Sequence, residues 1–239
     1  MFSSEEKIVK NENNLLNKPI IVSIEGNIGS GKSTLVQELK DANLYPHSKV
    51  CFLQEPVDEW NKIADNGETI IEKYYKDQNK YAFQFQMMAY ISRLSQIKNA
   101  MKNNYDIIFT ERSVMSDKNV FAKMLYNDGI LSETEHMIYT NWHDNFISEI
   151  PEAIIVYLKT DPEIADERVK KRGRPGEDIP LEYLRKCSDY HNQWIESDKH
   201  ENIILDGNKK DLEKWMNTIK KHIMMEFRNR LTQLSEQSS

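Results

Sequence analysis

The sequence predicts an α/β protein in three layers, a five-stranded parallel sheet flanked by helices. Short, nearly unbroken apolar runs recur along the chain, as strands buried on both faces do. Between them lie longer segments of helical character, and that alternation implies parallel strands covered on both sides. The stretch Gly26-Asn27-Ile28-Gly29-Ser30-Gly31-Lys32-Ser33 fits G-x-x-x-x-G-K-[ST] without mismatch, after one such run and before a helix.

The five apolar runs are residues 19–24, 50–55, 105–110, 153–158 and 202–205. Helices are expected over 34–42 and over 81–102, where Phe85, Met88, Ile91 and Leu94 fall near helical spacing. Ser132 forms a capping box with Glu135 and opens a helix through Trp142. Asp161 caps, and Pro162 starts, a helix to Lys171. Helices over 181–197 and 210–231 follow. Residues 1–18 are polar and mixed in charge and read as a flexible arm; residues 19–233 form the domain, and 234–239 read as a frayed tail.

Of the 239 residues, 39% are hydrophobic and 29% charged, enough apolar content for a packed core. The net charge of -6 and pI of about 5.6 argue against a face for duplex DNA, so no nucleic-acid partner is expected. No apolar run approaches a membrane span, and the first residues lack a signal's apolar centre. Cys51 and Cys187 belong to no CxxC pair, and the Val50–Leu53 run reads Cys51 as a small buried side chain. A reducing, cytoplasmic setting fits. The six histidines have no metal-ligand spacing, and His143-Asp144, without a nucleophile motif, reads as structural.

The glycine loop implies nucleoside-triphosphate binding. Its backbone N–H groups turn toward phosphate oxygens, Lys32 reaches the outer phosphates, Ser33 offers its hydroxyl to Mg²⁺, and the helix beginning near Thr34 adds a field favourable to anions. Such loops serve kinases, GTPases, motors and transporters. Asn208-Lys209-Lys210-Asp211 has the letters of a guanine motif but follows the last strand, without other GTPase elements.

The rest of the chain narrows the choice. The second strand runs into Glu55-Pro56-Val57-Asp58-Glu59-Trp60 and the third into Glu111-Arg112-Ser113. Between them come Phe85-Gln86 and Arg93, and later Arg168, Arg172-Gly173-Arg174 and Ile179-Pro180-Leu181. In this ordered set the chain resembles the deoxynucleoside kinases, most closely the deoxycytidine/deoxyguanosine kinase branch, from about Ile20 to about Trp215. The resemblance implies a P-loop kinase fold and transfer of a phosphoryl group from ATP, with Mg²⁺, to a deoxynucleoside 5′-hydroxyl. It implies a homodimer through helices such as 81–102 and 133–148.

It also implies roles. Glu55 is the general base, oriented by Arg112; Glu111 and Ser33 hold Mg²⁺. Arg168, Arg172 and Arg174 belong to a lid over residues 168–179 that stabilises phosphoryl charge. Trp60, Phe85 and Phe121 wall the base, and Gln86, Ala89 and Arg93, on one helix face, meet its edge with Asp117. Tyr75 and Glu177 both match the contact to the sugar 3′-hydroxyl, although Arg174-Pro175-Gly176-Glu177 is about one residue shorter than the animal lid. Asp206, Gly207 and Asn208 border the adenine of ATP. Blander readings stand beside these: an ion pair for Glu111-Arg112, cations favoured at a helix end for the arginines, core for each aromatic.

The branch implies deoxycytidine, deoxyadenosine or deoxyguanosine as substrate rather than thymidine. A thymidine-accepting kinase and a nucleoside monophosphate kinase are the alternatives. The second needs a cation for the acceptor's phosphate, where this chain has Glu55. A nucleotide-binding regulator without chemistry is disfavoured by Glu55, Glu111 and the arginines together.

Overall fold

The computed structural model describes residues 18–174 and 177–237. The expected arm through residue 17, two residues of the expected lid (175–176) and the last two of the expected tail lie outside them.

Five parallel strands form the central sheet in the order β2-β5-β1-β6-β7: β1 (Ile20–Glu25), β2 (Val50–Leu53), β5 (Ile107–Glu111), β6 (Ala153–Lys159) and β7 (Ile203–Asp206). All five expected strands are present, with ends displaced by one or two residues. All six residues of β1 are buried, as its central place requires.

Two helices cover one face. The buried Leu35, Val36 and Leu39 of α1 (Lys32–Asp41) pack with Trp215, Ile219 and Ile223 of the closing helix, Leu212–Gln237, onto Ile20, Val22, Ile24, Phe109 and Leu158. The closing helix runs on into residues 234–237, where the sequence suggested a tail. Phe52 stacks on Phe109 at 5.1 Å between ring centres. On the other face Val120 and Tyr157 pack with Trp194 and Ile195 of the helix Leu181–Ser197. The 24-residue helix α4 (Gln78–Met101) and the helix Glu133–Ile147 form a satellite core through Tyr90, Leu94 and Tyr139. Cys51 is only half-buried.

Several elements went unassigned from the sequence, beginning with the short helix α2 (Val57–Asn61), which carries Trp60 to the cleft. A two-residue hairpin pairs β3 (Ala64–Asp65) with β4 (Glu68–Thr69) around Asn66-Gly67, both at positive φ. Thr69 and Glu72 then form a reciprocal capping box that starts α3 (Ile70–Lys76). After β5, a short helix Val114–Ser116 passes through a π-helical stretch, Asp117–Ala122, before Lys123–Asn127. The wider π turn rotates Asp117 and Phe121 relative to a regular helix.

Candidate active site

Register builds the site. Ile24 pairs with Glu111 across the β1–β5 seam, so Glu111 stands beside the start of the glycine loop. Leu53 pairs with Thr110, so the chain two residues beyond each, Glu55 and Arg112, leaves the sheet side by side at its carboxyl edge. There a cleft of about 570 Å³ opens, lined by the glycine loop, Glu55, Trp60, Gln86, Arg112 and the lid arginines.

The phosphate end is built by α1. Gly31 takes φ 104° to start that helix, and a Cβ on Gly29 would lie 2.4 Å from the Ala165 carbonyl. The buried Lys32 ammonium donates to the Asn27 carbonyl at 2.8 Å. Burial first, then the nearby Arg112 guanidinium, push it down to about 7, against the pull of Glu111, Glu55 and Glu25. Incoming phosphate charge would restore its proton. The Ser33 hydroxyl donates to Glu111 at 2.7 Å. Two hard oxygen donors at a helix N-terminus suit Mg²⁺, which commonly takes its other ligands from phosphates and water.

Glu55 is half-buried among cations. Its carboxylate bonds Arg93 and lies 3.5 Å from the Arg112 Nε. Burial would raise it; Arg93, Arg112 and Lys32 outweigh that and hold it below the usual carboxylate value. Arg112 pairs with it, as the resemblance implied, and Arg93 stands nearer still. Arg112 donates to the Gly26 carbonyl at 2.8 Å and lies over the Phe121 ring at 4.8 Å.

The far end is aromatic. Trp60 meets Phe85 edge-on at 5.6 Å, and its indole N–H donates to Ser92 at 2.9 Å. Phe85 stacks on Tyr74, whose hydroxyl lies 2.9 Å from that of Tyr183. Between these rings lie Gln86, Ala89, Arg93 and Asp117, all buried. Arg93 bonds Asp117 as well as Glu55. Burial pushes Asp117 up to about 6 despite the opposing pull of Arg93. Three of their buried polar atoms, Gln86 Oε1, Arg93 Nε and Asp117 Oδ2, have no partner among the described residues. Such atoms call for a polar ligand.

A model of the deoxynucleoside kinase family matches residues 22–232. The chain belongs to the deoxynucleoside kinase family. It is 37% identical to a probable deoxycytidine kinase of fowlpox virus over 185 residues, 75% of this chain and 74% of that one. It is 35% identical to the deoxycytidine kinase of Homo sapiens over 196 residues, covering 73% and 74%. Deoxycytidine kinase 2 of Gallus gallus is 37% identical over 193 residues, 73% of each. Among the described residues, no helix is long and apolar enough to cross a membrane.

The kinase brings most of the expected site residues into the one cleft, including Tyr75, Glu177, Arg168, Arg172 and Arg174. Glu177 accepts from both Arg172 and Arg174, at 3.3 Å from the latter. Arg168 donates to the Ser30 carbonyl at 3.1 Å and to the Asn208 carbonyl at 3.5 Å. Gly26, Asn27 and Ser30 do not line the cleft; the Asn27 amide is turned inward and donates to the Leu184 carbonyl at 2.7 Å. Asp206, Gly207 and Asn208 also stand off it, tied to Lys159 and Asp161 behind the loop. His143 and Asp144 are 3.2 Å apart and away from the cleft. Sequence reading missed Ile71, Tyr74 and Tyr183, which complete the wall. The Thr69–Glu72 capping box was the available signal for the helix carrying the first two.

Proposed function

We propose that this kinase transfers the terminal phosphoryl group of ATP to the 5′-hydroxyl of deoxycytidine, deoxyadenosine or deoxyguanosine in preference to thymidine, salvaging DNA precursors in the cytoplasm. The observation that carries the base preference is the aromatic-walled pocket with three buried polar atoms open to a ligand. Gln86 offers both a donor and an acceptor to a base edge, and the Arg93–Asp117 pair stands opposite, where it crowds the space of a thymine methyl. The deoxycytidine kinases among the relatives support the same reading.

In this reading Glu55 takes the proton of the 5′-hydroxyl, and Arg93 and Arg112 hold its carboxylate in place. A carboxylate held below its usual range is ionised at neutral pH and ready to accept. Tyr75, whose hydroxyl burial keeps protonated, and Glu177 meet the sugar. Lys32 and the lid arginines, within residues 168–179, neutralise charge on the phosphoryl group in flight. Ser33 and Glu111 would hold Mg²⁺, which supplies further charge neutralisation at the phosphates. Asp206, Gly207 and Asn208 border the adenine from behind Arg168.

Homodimerisation belongs to the same proposal. Ile91 on α4 and Met137, Ile138 and Trp142 on the helix Glu133–Ile147 leave apolar surface exposed. Light scattering should give twice the chain mass. The activity test is a phosphorylation panel of the four natural deoxynucleosides. A highest kcat/KM for thymidine would overturn the reading of the pocket, and no turnover of any would overturn the reaction.

A further inference from the structure

Three consecutive residues at the end of β1 grip two consecutive residues around the end of β5. The Arg112 N–H donates to the Ile24 carbonyl at 3.0 Å, and Arg112 Nη1 donates to the Gly26 carbonyl at 2.8 Å. Between those two, the Ser113 hydroxyl donates to Glu25 Oε1 at 2.6 Å. Arg112 itself takes φ 64°, a left-handed backbone that a long L side chain adopts only when its surroundings hold it there. The Thr110 hydroxyl adds a bond to the Arg112 carbonyl at 2.8 Å.

Glu25 is the unexplained member of this grip. It is wholly buried, yet it does not line the cleft. Its Oε1 accepts from Ser23 as well as from Ser113, both at 2.6 Å, while Oε2 has no partner among the described residues. Burying a carboxylate at the end of a central strand is unfavourable, and the rest of that strand, Ile20, Ile21, Val22 and Ile24 among it, packs without one.

We propose that Glu25 is a positioning residue for phosphoryl transfer. Through Ser113 it holds the left-handed turn at Arg112, and so the aim of that guanidinium at Glu55. This rests on the reading of Glu55 as the base and Arg112 as one of its orienters. Because Glu25 directly precedes Gly26, it also ties the phosphate loop and the base to one point on the sheet. With the Ser113 hydroxyl gone, Arg112 relaxes toward negative φ and its guanidinium leaves Glu55. Trp60, Gln86 and Arg93 still hold the nucleoside, so the loss falls on kcat and spares KM.

The test uses the full chain and deoxycytidine with Mg-ATP. Ser113→Ala should lower kcat roughly tenfold, the size of one charge-assisted hydrogen bond, with KM within about twofold of wild type. Ser113→Thr keeps the hydroxyl and should restore most of kcat. The deciding measurement is the cycle of Ser113→Ala with Arg112→Ala. If Ser113 acts through Arg112, its loss costs nothing further once Arg112 is gone. Losses that multiply, or an unchanged kcat in Ser113→Ala, overturn the proposal alone. A wild-type kcat in Arg112→Ala overturns the reading of Arg112, and the proposal with it. Should Ser113→Ala fail to fold, Glu25→Gln in the same cycle gives the same readout, since an amide oxygen fills the space and accepts more weakly.

Discussion

Arg93 joins two carboxylates inside the protein, and its removal separates the energetics of the pair from the chemistry. Arg93 and Asp117 are nearly excluded from solvent, with side chains 6% and 2% exposed. Arg93→Met leaves the Asp117 carboxylate buried without its cation, and breaking a buried pair this way costs about 3–5 kcal/mol. Asp117→Ala costs less, because Arg93 keeps Glu55 as its partner. The double variant Arg93→Met/Asp117→Ala removes both charges and recovers most of the loss of Arg93→Met. Unfolding entropy for 239 residues is about 0.5 kcal/mol per kelvin, so a 3 kcal/mol recovery should appear as a rise of about 6 °C in Tm over Arg93→Met.

pH sharpens the same prediction. Burial pushes Asp117 from its ordinary 3.8 to about 6 even with Arg93 beside it, and without Arg93 it rises further. A carboxyl whose folded value lies above its unfolded value loses stability as pH rises between the two. The deficit of Arg93→Met is therefore small near pH 4.5 and grows as pH rises above about 6, while the double variant shows no such slope. Calorimetric melting of wild type, both single variants and the double at pH 4.5 and 8 measures all of this. Equal Tm values for Arg93→Met and the double at pH 8 would refute the argument. The double should also shift kcat/KM toward thymidine.

Glu55→Gln should keep nucleoside affinity and lower turnover by about 10²-fold or more, read in single-turnover kinetics; near-normal turnover removes the base assignment. Lys32→Ala should abolish turnover and keep a cooperative thermal transition, because its loss affects charge at the phosphates more than the fold. In the wild type, Lys32 near 7 should take up roughly half a proton when Mg-ATP binds at pH 7, seen by calorimetry in buffers of different ionisation enthalpy. An uptake that persists in Lys32→Met assigns it elsewhere. Chelating divalent metal should stop turnover, and Glu111→Ala should raise the Mg²⁺ concentration needed for half-activity; turnover in excess chelator would exclude this metal site.

The sheet and the phosphate loop were legible in the sequence because both are local. A buried strand announces itself as an apolar run such as residues 153–158, and the glycine loop needs its letters in one stretch. The long helix carrying Gln86, Ala89 and Arg93 was legible for the same reason, since one helical period puts all three on a face. The hairpin around Asn66-Gly67 and the capping box at Thr69–Glu72 carried local signals too, but in segments too short to show a period.

Only the tertiary structure decided who bonds whom. Strand order set Glu55 beside Arg112 and Glu25 beside Ser113, pairs separated by 57 and 88 residues that no local pattern relates. Packing set Asp117, at the start of the π turn, against Arg93 and put Arg93 nearer than Arg112 to Glu55. The left-handed φ of Arg112 likewise has no signature in the sequence, because the residue is not glycine and its conformation is imposed by the strand beside it. Hydrophobic periodicity is a property of a segment; a charge inside a protein finds its partner only when segments distant in the chain pack together.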